Sequence, residues 1–114
     1  MVLTRCHTDP PLALTGVAVT AEPATGPTCG GTAAITASVA TNGRAGTIRY
    51  HWLRSDGTSS GELSQPVQSG EDHVRLVLRW TFDGQGSMTA TATVEILAPQ
   101  RLSALTTFTY TCTG

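Results

Sequence analysis

Residues 72–82 read Asp-His-Val-Arg-Leu-Val-Leu-Arg-Trp-Thr-Phe, with Val74, Leu76, Leu78, Trp80 and Phe82 at every second position. Between them stand Arg75, Val77, Arg79 and Thr81. An extended chain points successive side chains to opposite faces, so this spacing separates an apolar face from a polar one only in a β-strand. On a helix the same residues would scatter around the whole circumference. The pattern recurs along the chain. Val17 and Val19 begin it, and Ala33, Ile35, Ala37 and Val39 oppose Ala34, Thr36, Ser38 and Ala40. Ile48, Tyr50 and Trp52 oppose Arg49, His51 and Leu53. Met88, Ala90, Ala92, Val94 and Ile96 oppose Thr89, Thr91, Thr93 and Glu95. Leu102, Ala104, Phe108, Tyr110 and Cys112 close the series, opposite Ser103, Thr107, Thr109 and Thr111. A weaker run spans Leu63 to Gln68, and no stretch sustains a 3.6-residue period.

Turn chemistry separates the runs. Asn42-Gly43, Asp56-Gly57 and Asp83-Gly84 supply residues that tolerate positive φ in a tight reversal. Pro23, Pro27, Pro66 and Pro99 fall outside the strong runs or on the weak one, where a missing N–H breaks no central ladder. The chain therefore reads as all-β, with seven strands in two sheets. Residues 1–14 read as a linker or N-terminal extension and residues 15–114 as the domain. Aromatics are only 5% of the chain, so Trp52 and Trp80 must supply much of the core volume, together with Tyr50, Ile35, Leu76, Leu78 and Phe108. His51, on the outward parity beside Arg49, reads as a solvated imidazole.

Composition narrows the function classes. Charged residues are 13% of the chain, about half the usual fraction, and the formal net charge of -1 draws it neither to nucleic acid nor to anionic lipid. The outward Arg75 and Arg79 lack the clustered company of a nucleic-acid stripe. Apolar runs stop far short of the roughly 20 residues of a spanning helix, so no membrane insertion is expected. Every basic side chain other than histidine is arginine, which with abundant Ala, Gly and Thr fits a GC-rich, actinobacterial coding bias.

Catalysis needs a nucleophile or an acid–base pair in a concave site. The sequence has no Gly-x-Ser-x-Gly, HExxH, P-loop or dinucleotide fingerprint, and its carboxylates fall mostly at turns and strand ends. No enzyme, cofactor or resident metal is expected. Glu71-Asp72 with Asp56 or Asp83 offers oxygen ligands without an EF-hand pattern, and solvated strand-end acids are the plainer reading. Thr89, Thr91 and Thr93 on one strand and Thr107, Thr109 and Thr111 on the next form two outward hydroxyl rows. Such a face suits carbohydrate, although threonine is also a favoured solvent-facing strand residue.

The segment Tyr-His-Trp-Leu-Arg-Ser-Asp-Gly-Thr (50–58), the strand Val-Arg-Leu-Val-Leu-Arg-Trp-Thr-Phe (74–82) and the closing Thr-Thr-Phe-Thr-Tyr-Thr-Cys (106–112) resemble the immunoglobulin-like domains of actinobacterial surface proteins, including those attached to membrane serine/threonine kinases. The resemblance implies an immunoglobulin-like, fibronectin III-like Greek-key sandwich. It also implies a non-catalytic spacer, adhesion or sensor module, fused to other domains and meeting a protein or glycan partner at the cell surface. The alternative function is a carbohydrate- or cell-wall-binding module using the threonine face.

Cys29 is expected to open the second strand, pointing inward, and Cys112 to close the last. Counting strands up and down puts both at one end of the sandwich. A bridge there closes a loop of about 83 residues, worth at most roughly 4–5 kcal/mol. Two buried thiols are the alternative. Cys6, beside His7, is left over as a free thiol or a link to a preceding domain, since two adjacent ligands match no zinc spacing. A disulfide places the chain in an oxidising, extracytoplasmic setting.

Overall fold

The computed structural model of the chain describes residues 11–23 and 26–112. Seven strands follow one another: β1 (Leu14–Glu22), β2 (Thr32–Thr41), β3 (Gly46–Arg54), β4 (Leu63–Val67), β5 (His73–Thr81), β6 (Gly86–Ala98) and β7 (Leu102–Cys112). They form two antiparallel sheets, β1-β2-β5 and β4-β3-β6-β7. Hairpins β1–β2, β3–β4 and β6–β7 stay within a sheet, while the chain crosses between sheets after β2, β4 and β5. The described residues include no helix long and apolar enough to cross a membrane. Cys6 and His7 lie outside the described residues.

The register brings the apolar face of each strand against that of its neighbour. Ile35 opposes Leu78, Ala37 opposes Leu76 and Ala33 opposes Trp80 in the three-stranded sheet. Trp52 opposes Val94 and Tyr50 opposes Ile96 in the other. All seven aromatic and aliphatic residues assigned to the core from the sequence are buried: Trp52 and Ile35 completely, and Tyr50, Trp80, Leu76, Leu78 and Phe108 at 8% exposure or less. Fully buried alanines 33, 37, 90 and 92 line the inner faces of β2 and β6. Their small volume leaves room between the sheets for the two indoles, the large-against-small interdigitation that close packing requires.

Three features depart from the strand pattern read in the sequence. Leu12 and Leu14 are buried, so the core begins inside the segment read as an extension. Leu12 presses so closely on Gly46 that a Cβ at that glycine would lie 2.7 Å from the leucine Cβ. Asn42 holds this entry in place. Its Oδ1 accepts from the amides of Ala13 (3.1 Å) and Arg44 (3.2 Å), and its Nδ2 donates to the Pro11 carbonyl (2.9 Å). Met88, on the inward parity, is 41% exposed. It opposes Tyr110 on β7 but precedes Ala92, the partner of the last residue of β3, so it has no β3 neighbour to cover it.

The third departure is Cys29. It is exposed in a turn ahead of β2 rather than inward on the strand, because Gly31 N donates to Thr28 O at 2.7 Å and β2 starts only at Thr32. The Cys29–Cys112 disulfide forms nonetheless, with Cα atoms 4.5 Å apart. Thr28 makes a parallel bridge with Thr111, so the turn already runs beside the end of β7.

Candidate functional site on the outer face of the four-stranded sheet

Next to the disulfide, Trp80, Phe82, Phe108 and Tyr110 pack as one aromatic cluster. Phe82 stacks on Trp80 and Tyr110, with centroids 4.8 and 5.1 Å apart, and meets Phe108 edge-on at 5.7 Å. The Tyr110 hydroxyl donates to the Gly84 carbonyl at 2.7 Å, tying the β5–β6 connection to the last strand. The Arg54 guanidinium lies 5.9 Å from the Trp80 ring centroid.

The outward face of β3, β6 and β7 is the surface with the most chemistry. Its polar side chains fall into cross-strand rows, about 4.8 Å apart between strands and roughly 6.8 Å apart along them. Thr89 opposes Thr109 and Thr91 opposes Thr107, while Thr111 opposes Ser87 and Thr93 opposes Leu105. The two threonine rows are thus offset, and only two of their pairs are threonine on threonine. The hydroxyls of Thr91 and Thr107 bond each other at 3.1 Å. Leu105, 58% exposed, interrupts the hydroxyl surface.

Nearer the β6–β7 turn the face becomes charged. His51 is half-buried and its Nε2 donates to Glu95 Oε1 at 2.5 Å, so the imidazole read as solvated is paired with a neighbouring strand. Arg49 bonds Glu62 through Nε at 2.6 Å and through a second guanidinium nitrogen. The row that holds the histidine runs His51–Glu95–Ser103 across β3, β6 and β7. Activating a serine requires the imidazole between hydroxyl and carboxylate. Here the carboxylate stands in the middle, so His51 is beyond reach of the Ser103 proton. Beside this row an open cavity of about 200 Å³ is lined by Glu95, Ile96, Leu97, Arg101, Leu102 and Ser103.

Three of the remaining acids are locally engaged. Asp56 accepts from Thr58 N at 2.9 Å and from its hydroxyl at 2.6 Å, and these bonds hold its carboxyl below the ordinary aspartate range. Glu71 Oε1 accepts from Gln68 N at 2.7 Å, and Asp72 accepts from His73 Nδ1 at 3.2 Å. Among the described residues no group of three or more His, Cys, Asp or Glu is placed to hold a metal ion. Burial pushes the Tyr50 hydroxyl up.

Two features of this face escape sequence reading. The His51–Glu95 pair was foreshadowed only by both residues having outward parity, which does not say that they are adjacent. The cavity depends on the β6–β7 hairpin bringing Glu95 opposite Ser103. The chain matches no protein-family model, no curated protein and no solved structure.

Proposed function

We propose that this chain is an extracytoplasmic, non-catalytic immunoglobulin-like module, a spacer, adhesion or sensor domain of a larger bacterial surface protein. The Cys29–Cys112 bridge carries the reading, because intrachain disulfides persist in oxidising compartments and are rare in the cytosol. The fourth strand supports the fibronectin III-like variant. It pairs with β3 rather than joining β1, β2 and β5, as the fourth strand of an immunoglobulin constant-type sandwich would. The non-catalytic part draws on the His51–Glu95–Ser103 order, which separates the imidazole from the hydroxyl.

The threonine surface favours a second reading, a carbohydrate- or cell-wall-binding module. Against it, all six aromatic side chains of the chain are buried, which leaves no ring on the surface for a sugar to stack on. Two experiments test the proposal. Alkylating the protein in its native source before lysis should leave the thiols of Cys29 and Cys112 unlabelled; labelling at both refutes the compartment. On a glycan array the domain should bind no polymer, and micromolar binding abolished by Thr91→Ala or Thr109→Ala would establish the second reading instead.

A further inference from the structure

Two strands bound each sheet, β1 and β5 in one, β4 and β7 in the other. β1 and β7 run side by side and close one flank of the sandwich. At one end of that flank the Gln100 side chain holds the Leu14 amide and carbonyl, at 3.0 and 2.9 Å, and at the other Thr111 N donates to Pro27 O at 3.2 Å. The opposite flank ends in β4 and β5. β4 is five residues long and contains Pro66, both features that keep an edge from pairing with another chain. β5 has nine residues, His73–Thr81, with no proline and an unbroken register against β2. Among the described residues no strand other than β2 runs alongside it.

The ladder fixes which backbone groups this edge offers. In an antiparallel pair the residues that exchange hydrogen bonds recur at every second position. Thr41 N donates to Asp72 O at 2.8 Å and Phe82 N to Gly31 O at 2.9 Å, so the even-numbered residues of β5 bond to β2. The amides and carbonyls of Arg75, Val77 and Arg79 therefore point away from β2, and among the described residues no other backbone bond reaches them. The side chains of the same three residues are exposed on the outer face, opposite Ser38, Thr36 and Ala34. Neither arginine joins a salt bridge among the described residues. Glu22, which opposes Ala34 from β1, lies two strands from Arg79, about 9.6 Å away.

We propose that β5 is a docking edge for an acidic strand of another protein, an extended segment with two carboxylates at positions i and i+4. Laid antiparallel with its central residue at Val77, such a segment sets one carboxylate opposite Arg79 and the other opposite Arg75. The residues bearing those carboxylates, and the one between them, exchange backbone bonds with Arg79, Arg75 and Val77. The two alternate residues turn inward beside Leu78 and Leu76, so they are apolar, and Glu-Val-Thr-Val-Glu meets every requirement. The same charges exclude a second copy. A two-fold axis at Val77 would set Arg75 opposite Arg79 twice, and like charges directly opposite destabilise a ladder. A five-residue ladder is small beside the roughly 1,200–2,000 Å² of a stable interface, so a dissociation constant of about 0.1–1 mM is expected. The pairing needs only this open edge, so it stands or falls apart from the surface-module reading above.

NMR titration of the isotope-labelled chain with the capped peptide Ser-Glu-Val-Thr-Val-Glu-Ser tests this. The amides of Arg75, Val77 and Arg79 should shift most and exchange more slowly with solvent when the peptide is bound. Arg75→Glu combined with Arg79→Glu should weaken binding at least about tenfold while leaving the urea midpoint unchanged, because both sites are exposed. That double variant should instead bind the peptide with lysine in place of both glutamates. N-methylating the peptide's threonine, whose amide meets Val77, should abolish binding, whereas N-methylating its first valine, whose amide points away, should not. No shift at these amides up to about 5 mM peptide overturns the proposal. Equal binding of the N-methylthreonine peptide, or undiminished binding to the double variant, overturns it as well.

Discussion

Replacing Cys29 and Cys112 together by alanine tests how much of the fold's stability comes from the unfolded chain. The bridge closes a loop of 83 residues. In the chain-entropy model, removing it returns about 15 cal/mol/K to the unfolded ensemble, about 4.5 kcal/mol at 25 °C. Cys112 is buried beside the aromatic cluster and Cys29 is exposed, so lost packing adds about 1 kcal/mol at position 112 and nothing at 29. With an unfolding entropy of about 2.1 cal/mol/K per residue over 114 residues, about 5 kcal/mol lowers the melting temperature by roughly 20 °C. Urea denaturation of the two proteins, monitored by tryptophan fluorescence, measures the difference. The slope of free energy against urea should also rise, because an uncrosslinked unfolded chain exposes more surface. A loss below about 1 kcal/mol with an unchanged slope would refute the reasoning: the turn at Thr28–Gly31 would then be held to β7 equally well by its backbone contacts, in both folded and unfolded chains.

Trp52→Ala should cost about 3–5 kcal/mol by opening a cavity between the sheets. Trp52→Phe should cost less than half of that, since it keeps a ring and removes an indole N–H that is buried without a partner in the structure; equal losses in the same urea assay would contradict this packing. Tyr50 has a raised folded pKa through burial, so the folded state holds its proton more tightly than the unfolded chain. Its stabilising contribution is complete below the unfolded tyrosine pKa and is lost as pH rises through the folded one, so Tyr50→Phe should make the alkaline unfolding transition shallower. Asp56 behaves oppositely. Its depressed pKa gives stability that is present above the unfolded aspartate value and lost as pH falls through the folded one, and an NMR titration should find its carboxyl below that of a free aspartate. Gly26→Ala meets the Thr109 carbonyl and requires a φ of +94° from an alanine, so it should destabilise the domain by more than about 2 kcal/mol and raise hydrogen exchange at the Thr111 amide.

The sequence by itself determined the strands and their faces. Alternation is a local property of an extended chain, so Val74, Leu76, Leu78 and Trp80 declare their common side whatever they pack against. It likewise marked the turns, and it placed Cys29 and Cys112 at one end because up-and-down strands leave little other choice. Tertiary structure decided the neighbours. Parity put His51 and Glu95 on an outer face, but only the β3–β6 register made them a pair. The same is true of the threonines: a single offset in the β6–β7 ladder brought Leu105 opposite Thr93. Asn42 read as a turn residue and is also the clamp on Pro11 and Ala13, and Gly26 gave no sign of lying against β7. The physical reason is that side-chain direction repeats every two residues within one strand, whereas register and edge exposure arise from loop closure and packing between segments far apart in the chain.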